Sequence, residues 1–403
     1  MKNFWKTGLI ALLCLCVALP AFAVHTVEDV RARYGQIAAA DALYDEDGGL
    51  MVAAQQSMLD YARFMRWLAY VEDPLEISGE YTQLAQAGAQ LLAAADTAAH
   101  VLPQPEGFPD ELYELASAGI GGSNIASINW MDADVLFAAI EYFQRDEGGR
   151  NRFALGHRRW LLSPALQHTG FGLANADSGM TYVTMYVHDF TAESINGWDN
   201  IAWPSAGAFP AEYMYDATPW CVLLNDRVYS AEQPEVRITV ACEQTGEVFV
   251  MDRLAEEDAQ DAYWINTDGY GLGYALIFRP WAAEEFEQNQ VWHVCIADLW
   301  RLDGSTETLE YDVEMMSLEP IPVRLIELNE TELLLKAGDT ARLSADVVPS
   351  WADDVSVAWS STDETVAAVD ADGNVRAAMP GTCSIIARGA DEQWAECIVT
   401  VTE

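Results

Sequence analysis

Apolar side chains recur at helical spacing in the first part of the chain. One set is separated by steps of three or four residues: Leu50, Ala54, Met58, Tyr61, Met65 and Leu68. Because this spacing returns each side chain to the same side of a helix, it predicts an amphipathic helix. A second helix is predicted over residues 81–99, with Ser78 as its N-cap, and a third from residue 134 to the glycine pair at 148–149.

Short apolar runs, typical of strands, replace the helical spacing further along the chain. The first run covers residues 181–187 and others follow at 220–224, 236–240, 273–278, 291–296 and 309–313. Six more occupy residues 333–335, 340–347, 355–359, 366–369, 382–387 and 395–401. The pattern predicts a mixed unit over residues 24–210, a β-sandwich accessory unit over 211–320 and a second all-β unit over 321–403.

The first 23 residues have the organisation of a secretory signal peptide. Lys2 and Lys6 precede an apolar run over residues 9–19, and Ala21-Phe22-Ala23 fits the small-residue cleavage rule. Later apolar runs stay below the about 18 residues that a membrane helix requires, so we expect no transmembrane segment in the mature chain. The protein is predicted to be secreted and extracellular, or associated with the cell surface.

Charge excludes one large class of partners. The 403 residues contain 63 Asp and Glu against 21 Lys and Arg, which gives a formal net charge of -42. A field of this sign repels nucleic acid phosphates. The hydrophobic fraction of 51% nevertheless predicts a folded protein rather than an acidic disordered chain.

Five cysteines remain after the predicted signal peptide, and this odd number leaves at least one free thiol or an intermolecular bridge in an exported protein. Cys383 and Cys397 lie on either side of the turn-like residues 389–393, and a hairpin centred at residue 390 would set them directly opposite each other. That geometry predicts a disulfide between them. A pair of buried free thiols is the equal alternative, because a small change of register separates the side chains.

The last predicted unit resembles a bacterial immunoglobulin-like repeat of group 2. The similarity rests on the sequence Leu-Leu-Leu-Lys-Ala-Gly-Asp-Thr at 333–340, Val348-Pro349, the Trp359 segment at 357–363, the Asp372-Gly373 turn and Pro380-Gly381-Thr382. Asp-Gly is a tight-turn pair, and Trp359 is available as a core aromatic residue.

A second resemblance rests on Gly156-His157-Arg158-Arg159-Trp160 and on the Thr-Gly-Phe-Gly sequence at 169–172. This block is similar to the CAP superfamily (cysteine-rich secretory proteins, antigen 5, pathogenesis-related 1). The resemblance implies an α-β-α sandwich with an open cleft lined by two His and two acidic residues. The expected fold class is therefore α+β, with an α-β-α sandwich (CAP-like) domain followed by two all-β immunoglobulin-like sandwich domains.

The resemblance also implies the cleft residues. His157 and His100 match the two cleft histidines, Ser123 replaces one acid, and Glu141 is the candidate for the other. We expect His100 and His157 to approach each other across an exposed pocket with Glu141 within reach. Two imidazoles and a carboxylate could hold a divalent ion such as Zn²⁺, with His100 and His157 as ligands, or form a hydrogen-bonded network without metal.

These residues favour a non-catalytic extracellular or cell-surface binding protein with a His-lined cleft. The ligand could be a lipid, a protein or a component of the cell wall, and no cofactor is required. The alternative is a metal-dependent hydrolase or peptidase acting on cell-wall or peptide substrates, which Ser123 disfavours because it supplies no carboxylate. The third hypothesis is that the protein is a structural spacer.

Overall fold

The computed structural model describes residues 24–43, 50–71, 74–129, 135–146, 148–149, 151–192, 197–215, 218–253, 262–280, 286 and 288–403. The predicted signal peptide lies outside these residues. Of the described residues, 37% lie in strands and 23% in helices. Within the same ranges, every helix is too short or too polar to cross a membrane.

The helices lie in the first part of the described chain. They are α1 (Val27–Tyr34), α2 (Val52–Leu68), α3 (Gly79–Ala95), α4 (Asp110–Gly121), α5 (Val135–Arg145), α6 (Asn151–Ala154) and α7 (Gly156–Leu161). The apolar face predicted from residue spacing is buried on α2, where Met58, Met65 and Leu68 are fully buried. The Ser78 side chain accepts a hydrogen bond from the backbone N–H of Tyr81 and caps α3, as predicted.

A small antiparallel sheet packs against these helices. Its strands are β2 (Ser123–Ile128), β4 (Phe171–Asn175) and β5 (Thr181–Tyr186), in the order β2-β5-β4, while β1 (Glu76–Ile77) pairs with β3 (His168–Thr169). Helix α3 approaches β4 very closely, since a Cβ placed on Gly172 would lie 2.3 Å from the carbonyl oxygen of Ala85. Glycine at this position allows the helix to reach the strand.

Nine strands of the described chain form one larger sheet. They are β6 (Asn200–Trp203), β7 (Gly207–Pro210), β8 (Trp220–Leu224), β9 (Arg237–Cys242), β10 (Val248–Arg253), β11 (Ala262–Asn266), β12 (Tyr274–Arg279), β13 (Val291–Trp300) and β14 (Thr306–Met316). Their order is β6-β8-β12-β11-β10-β9-β13-β14-β7. The two edge strands are joined by a short connection, and the Trp203 and Phe209 rings lie 4.7 Å apart. The sheet therefore curls until its two edges share one core.

Two buried arginines attach α7 to this sheet. Arg158 donates to the carbonyl oxygens of Gln144 and Pro219 at 2.5 and 2.6 Å. Arg159 donates to Asn266 Oδ1 at 2.7 Å and to the carbonyl of Asp268 at 2.6 Å. Each buried guanidinium thus finds acceptors that offset its desolvation. The connection between the helical part and the large sheet is made by the Arg-Arg pair of the sequence block at 156–160.

The predicted fold class is wrong. The expectation was α+β, with an α-β-α sandwich (CAP-like) domain ahead of two immunoglobulin-like sandwiches, but strands outweigh helices in the described chain. Strands β6 and β7, which fall inside residues 24–210, form the edges of the nine-stranded sheet. One apolar core also extends from Val30 on α1 to Leu318 beyond β14. The helices bury their apolar faces in the same core as that sheet, and the chain belongs to the β-sandwich class. The domain limits at residues 210 and 320 remain predictions.

Residues 325–402 form a separate set of strands. These are β15 (Leu325–Leu328), β16 (Glu332–Lys336), β17 (Thr340–Arg342), β18 (Ala345–Val348), β19 (Val357–Ser361), β20 (Ala367–Val369), β21 (Asn374–Ala377), β22 (Gly381–Gly389) and β23 (Trp394–Thr402). A four-stranded sheet (β16-β23-β22-β19) and a three-stranded sheet (β17-β21-β20) enclose their own apolar core. Arg31 on α1 reaches this unit through an ion pair with Asp353 at 2.6 Å.

The register of the last hairpin corrects the disulfide prediction. Cys383 pairs with Val399 and Cys397 pairs with Ile385, so the two cysteines are not directly opposite each other. Both are buried and free. The turn is centred one residue later than the sequence suggested, which moves each cysteine two positions along its partner strand. Such a diagonal pair is too far apart for a disulfide.

Candidate functional site

An extended segment at the end of β5 presents alternate side chains to solvent. Val187 and Asp189 are buried, whereas Tyr186 and His188 are partly exposed and Phe190 is 76% exposed. Successive side chains of an extended chain point to opposite sides. Tyr186, His188 and Phe190 therefore share the outer side. A large apolar side chain with this exposure needs an explanation when it belongs to a cluster of rings.

Tyr81 and Trp160 extend this cluster from two other elements. Tyr81 of α3 lies 4.7 Å from Tyr186, ring centre to ring centre. Trp160 of α7 lies 4.6 Å from His188 and 6.4 Å from Phe190. His188 stands between Tyr186 at 6.5 Å and Phe190 at 5.7 Å. We call these five residues, Tyr81, Trp160, Tyr186, His188 and Phe190, the aromatic face.

A buried carboxylate fixes the backbone beneath the aromatic face. Asp189 accepts hydrogen bonds from the backbone N–H groups of Gln167, His168 and Thr191, the hydroxyls of Tyr81 and Thr191, and the His168 ring. Burial raises the pKa of Asp189, but the hydrogen bonds from Thr191, His168 and Gln167 outweigh burial and lower the pKa below its usual value. The carboxylate holds His188 and Phe190 in place from inside.

Burial and the nearby carboxylates also act on the tyrosines. Burial, with the charge of Asp189 and the hydrogen bond to it, raises the pKa of Tyr81 to about 12. Burial and the charges of Glu80 and Asp189 raise the pKa of Tyr186. Both tyrosines are therefore neutral at physiological pH.

His100 lies beside the aromatic face. It is exposed, and its Nδ1–H donates to the carbonyl oxygen of Ile120 at 2.9 Å. Burial lowers the pKa of His188, and the charge of protonated His100 lowers it further. The His188 backbone N–H donates to the Gly122 carbonyl at 3.2 Å, two residues beyond the Ile120 carbonyl that His100 contacts, so both histidines lie at the end of α4.

Ser123 lies beneath the same surface. It pairs with Tyr186 across β2 and β5. Its side chain is 3% exposed, and its Oγ has no hydrogen-bond partner within the described chain. The adjacent Gly122 has no side chain because a Cβ there would lie 2.6 Å from the Tyr186 ring. The Gly122-Ser123 pair thus supports Tyr186 and does not present a polar group to solvent.

His157 is held in a different environment. Its Nδ1–H donates to Asp146 at 2.7 Å, and the other oxygen of Asp146 accepts the Arg158 N–H at 2.9 Å. The Asn124 side chain donates to the His157 carbonyl at 2.9 Å. The His157 side chain is 13% exposed and the Asp146 side chain is fully buried. These contacts fix the imidazole in one orientation and leave its Nε2 without a hydrogen bond in the described chain.

Glu141 belongs to a third network. It accepts the Tyr61 hydroxyl at 2.6 Å and pairs with Arg145 at 3.0 Å, while Tyr61 and Tyr213 share a hydrogen bond of 2.9 Å. Burial raises the pKa of Tyr61, and the neighbouring Tyr213 and Glu141 raise it further. In the described residues, no hydrogen bond joins Glu141 to His100 or His157. The predicted grouping of these three side chains in one pocket remains a prediction.

The described residues do not fit the metal site that the resemblance implied. They contain no group of three or more His, Cys, Asp or Glu side chains placed to hold a metal ion. His100, His157 and Glu141 bond to different partners: the Ile120 carbonyl, Asp146, and the Tyr61–Arg145 pair.

The residues of the aromatic face were not selected from the sequence as ligand-binding candidates. The signal that could have identified three of them is the alternation Tyr-Val-His-Asp-Phe at 186–190, in which every outer position carries a ring. Tyr81 and Trp160 give no comparable signal because each lies within a helix, where a ring more often belongs to the core.

Comparisons with known proteins identify one part of the chain. Residues 322–399 match the family model of the bacterial Ig-like domain (group 2). This match confirms the resemblance of the last predicted unit, and such a domain fits the binding of an extracellular ligand. We refer to these residues as the Ig-like segment. The comparisons give no support to the CAP resemblance.

Other similarities are partial. The chain is 44% identical over 71 residues to a lacto-N-biosidase of Bifidobacterium bifidum, which covers 18% of this chain and 6% of that protein. Domains 4 and 5 of the S-layer protein SbsC are 12% identical, with coverage of 40% and 91% and a TM-score of 0.20. An intimin fragment crystallised with its receptor's intimin-binding domain is 15% identical, with coverage of 52% and 64% and a TM-score of 0.15. With TM-scores this low, neither structure supports an argument about this chain.

Proposed function

We propose that the protein is a secreted, non-catalytic binding protein of the cell exterior, and that the aromatic face is its ligand-binding surface. The observation that carries the proposal is the exposure of Phe190 within a continuous group of rings. Ligand sites combine apolar and aromatic surface with a few polar groups. The aromatic face has this composition, with the imidazoles of His100 and His188 beside its rings.

Two groups beneath the aromatic face that could take part in hydrolysis are buried. The Asp189 carboxylate is 2% exposed and is surrounded by hydrogen-bond donors, so it cannot reach a substrate. The Ser123 hydroxyl is buried and has no base beside it within the described chain. Glu80, His100 and His188 are titratable groups at this surface, but no set of side chains placed to hold a metal ion accompanies them in the described residues. Binding without turnover is the function that this arrangement supports best.

The Ig-like segment supports the location. The family match at residues 322–399 is typical of proteins exposed at the bacterial surface, and the predicted signal peptide agrees with export. The lacto-N-biosidase to which the chain is partly similar is, by its name, a glycosidase, but 6% coverage transfers no activity. We propose that the Ig-like segment displays or spaces the binding part of the molecule.

Sedimentation with insoluble cell-wall material tests the proposal. The mature full-length protein is mixed with purified bacterial cell walls, and the bound fraction is measured in the pellet. We expect binding that falls at least about tenfold in Phe190→Ala, because this residue contributes contact area without supporting the fold. Trp394→Ala is the matched control, since Trp394 is also exposed, at 56%, but lies on the Ig-like segment.

Two outcomes would contradict the proposal. If Trp394→Ala abolishes sedimentation and Phe190→Ala does not, the ligand binds the Ig-like segment. If the protein degrades the wall material and His157→Ala stops the release of soluble fragments, the protein is a hydrolase.

A further inference from the structure

The rings of the aromatic face form a row. Tyr186, His188 and Phe190 follow one another along the outer side of the extended segment, with ring centres 6.5 and 5.7 Å apart. Tyr81 lies beside Tyr186 at 4.7 Å, and Trp160 lies beside His188 at 4.6 Å. A compact ligand would need one or two of these rings at the bottom of a pocket. A row of rings at the surface suits an extended ligand with a repeated apolar surface.

The charge of the surface excludes an anionic ligand. The formal net charge of the chain is -42, and Glu80 and Asp189 act directly on the tyrosines of the aromatic face. The groups near this surface that can become positive include His100, His168 and His188; the His168 ring already pairs with Asp189, and the lowered pKa of His188 keeps that ring neutral at pH 7. A phosphate, sulfate or carboxylate would therefore meet repulsion without a compensating cation.

Polar atoms accompany the rings. Three groups have no hydrogen-bond partner within the described chain: the Tyr186 hydroxyl, the ring nitrogens of His188 and Nε2 of His100. Nδ1–H of His100 donates to the carbonyl oxygen of Ile120. Neutral imidazole offers one donor and one acceptor, and a phenol offers both. The surface thus combines apolar ring faces with uncharged hydrogen-bonding groups.

We infer that the aromatic face binds a neutral oligosaccharide chain. A pyranose has an apolar C–H face that packs on an aromatic ring, and hydroxyls at its edge that exchange hydrogen bonds with phenol and imidazole. Successive sugars of a chain repeat these two features, as the row of rings does. This inference rests on the proposed function, because it names the ligand class of the same surface.

Isothermal titration calorimetry of the mature full-length protein tests the inference. The probes are cellohexaose, chitohexaose and maltohexaose, with hexagalacturonate as the anionic comparison. We expect at least one neutral hexasaccharide to bind and hexagalacturonate not to bind. The affinity for the neutral sugar should fall at least about tenfold in Phe190→Ala and in Trp160→Ala, since each substitution removes one stacking ring. Trp394→Ala should leave the affinity unchanged.

Folding of the variants is checked by circular dichroism and by the unfolding midpoint in urea. Phe190→Ala removes an exposed side chain and should keep the parent midpoint, so its loss of affinity would report the surface itself. If none of the three neutral sugars binds, the oligosaccharide inference is wrong. It is also wrong if hexagalacturonate binds equally well, or if Phe190→Ala and Trp160→Ala bind the sugar as the parent does.

The sedimentation experiment separates this failure from a failure of the proposed function. If cell-wall binding depends on Phe190 but no neutral hexasaccharide binds, the aromatic face is still the binding surface. The inference that its ligand is a neutral oligosaccharide is then wrong. If a sugar binds but its affinity does not depend on the aromatic face, the sugar site lies elsewhere. The proposed ligand-binding role of the aromatic face is then also wrong.

Discussion

Helix α7 and the segment at residues 186–190 contain similar residue types but use them in opposite ways. In α7, His157, Arg158 and Arg159 turn inward and form hydrogen bonds with Asp146, with backbone carbonyls and with Asn266. In the second segment the rings turn outward, while Val187 packs in the core and Asp189 makes the internal hydrogen bonds. A histidine held by a buried carboxylate is therefore a structural group here, while the exposed histidine beside other rings is the binding candidate.

The first prediction concerns the inward side of α7 and has the largest expected effect. Arg158→Met should lower the free energy of unfolding by about 3 kcal/mol, because the carbonyls of Gln144 and Pro219 lose a charged donor inside the protein. Urea unfolding followed by tryptophan fluorescence measures the change. Arg237→Met is the matched control: its side chain is 75% exposed and pairs with Asp298, so we expect at most about 1 kcal/mol.

Equal losses in Arg158→Met and Arg237→Met would show that α7 is not locked to the large sheet through its arginines. The structural role assigned to the inward-facing side chains of α7 would then be wrong.

The second prediction concerns Asp189, whose folded pKa lies below its usual value. Such a carboxylate contributes stability above the unfolded pKa of about 3.9, and this contribution is lost as the pH falls through the folded pKa. Asp189→Asn should therefore lower the free energy of unfolding by about 1 to 2 kcal/mol at pH 7, because an amide cannot accept the same set of donors. The difference from the parent protein should shrink below about pH 4.

Urea unfolding at pH 7, 5, 4 and 3 measures this dependence. Asp177→Asn, which changes an exposed carboxylate, is the control and should change the free energy of unfolding by less than about 0.5 kcal/mol at pH 7. A constant difference between Asp189→Asn and the parent across the pH range would contradict the assigned role of the carboxylate.

The third prediction has the smallest expected effect on stability and addresses the outward side. A Cβ on Gly122 would approach the far end of the Tyr186 ring, which can shift, whereas a Cβ on Gly121 meets nothing within 4 Å. Gly122→Ala should therefore lower the free energy of unfolding by about 1 kcal/mol or less. It should also displace Tyr186 and lower the affinity for the neutral sugar. Gly121→Ala should leave the affinity for the sugar unchanged.

Unfolding in urea and calorimetry with the sugar measure both quantities on the same preparations. If Gly122→Ala binds the sugar as well as Gly121→Ala does, Tyr186 does not contribute to the binding surface.

Local sequence patterns predicted the structure correctly where a single element determines it. The spacing of Met58, Met65 and Leu68 predicted the buried side of α2, and Ser78 was recognised as the N-cap of α3. The resemblance of the last unit to a group 2 immunoglobulin-like repeat was confirmed by the family match at residues 322–399. In each case neighbours in the sequence supply the decisive interactions.

The prediction failed where distant elements share a core. The helices of the first part were assigned to a separate α-β-α unit, but their core also contains Trp203 of β6 and Trp220 of β8. Spacing identifies the apolar side of a helix but not the element that covers it. The disulfide prediction failed for a related reason, since the position of one turn changes the register of every residue pair in the hairpin.

The sequence by itself determined the acidic surface, the predicted export, the apolar faces of the helices and the immunoglobulin-like character of the last segment. These properties depend on composition, on short-range spacing or on a motif within one unit. Tertiary structure alone decided that His157 turns to a buried Asp146 and that His188 remains open. It also brought Tyr81 of α3 and Trp160 of α7 beside the end of β5, because a surface formed by three elements exists only after their packing has placed them together.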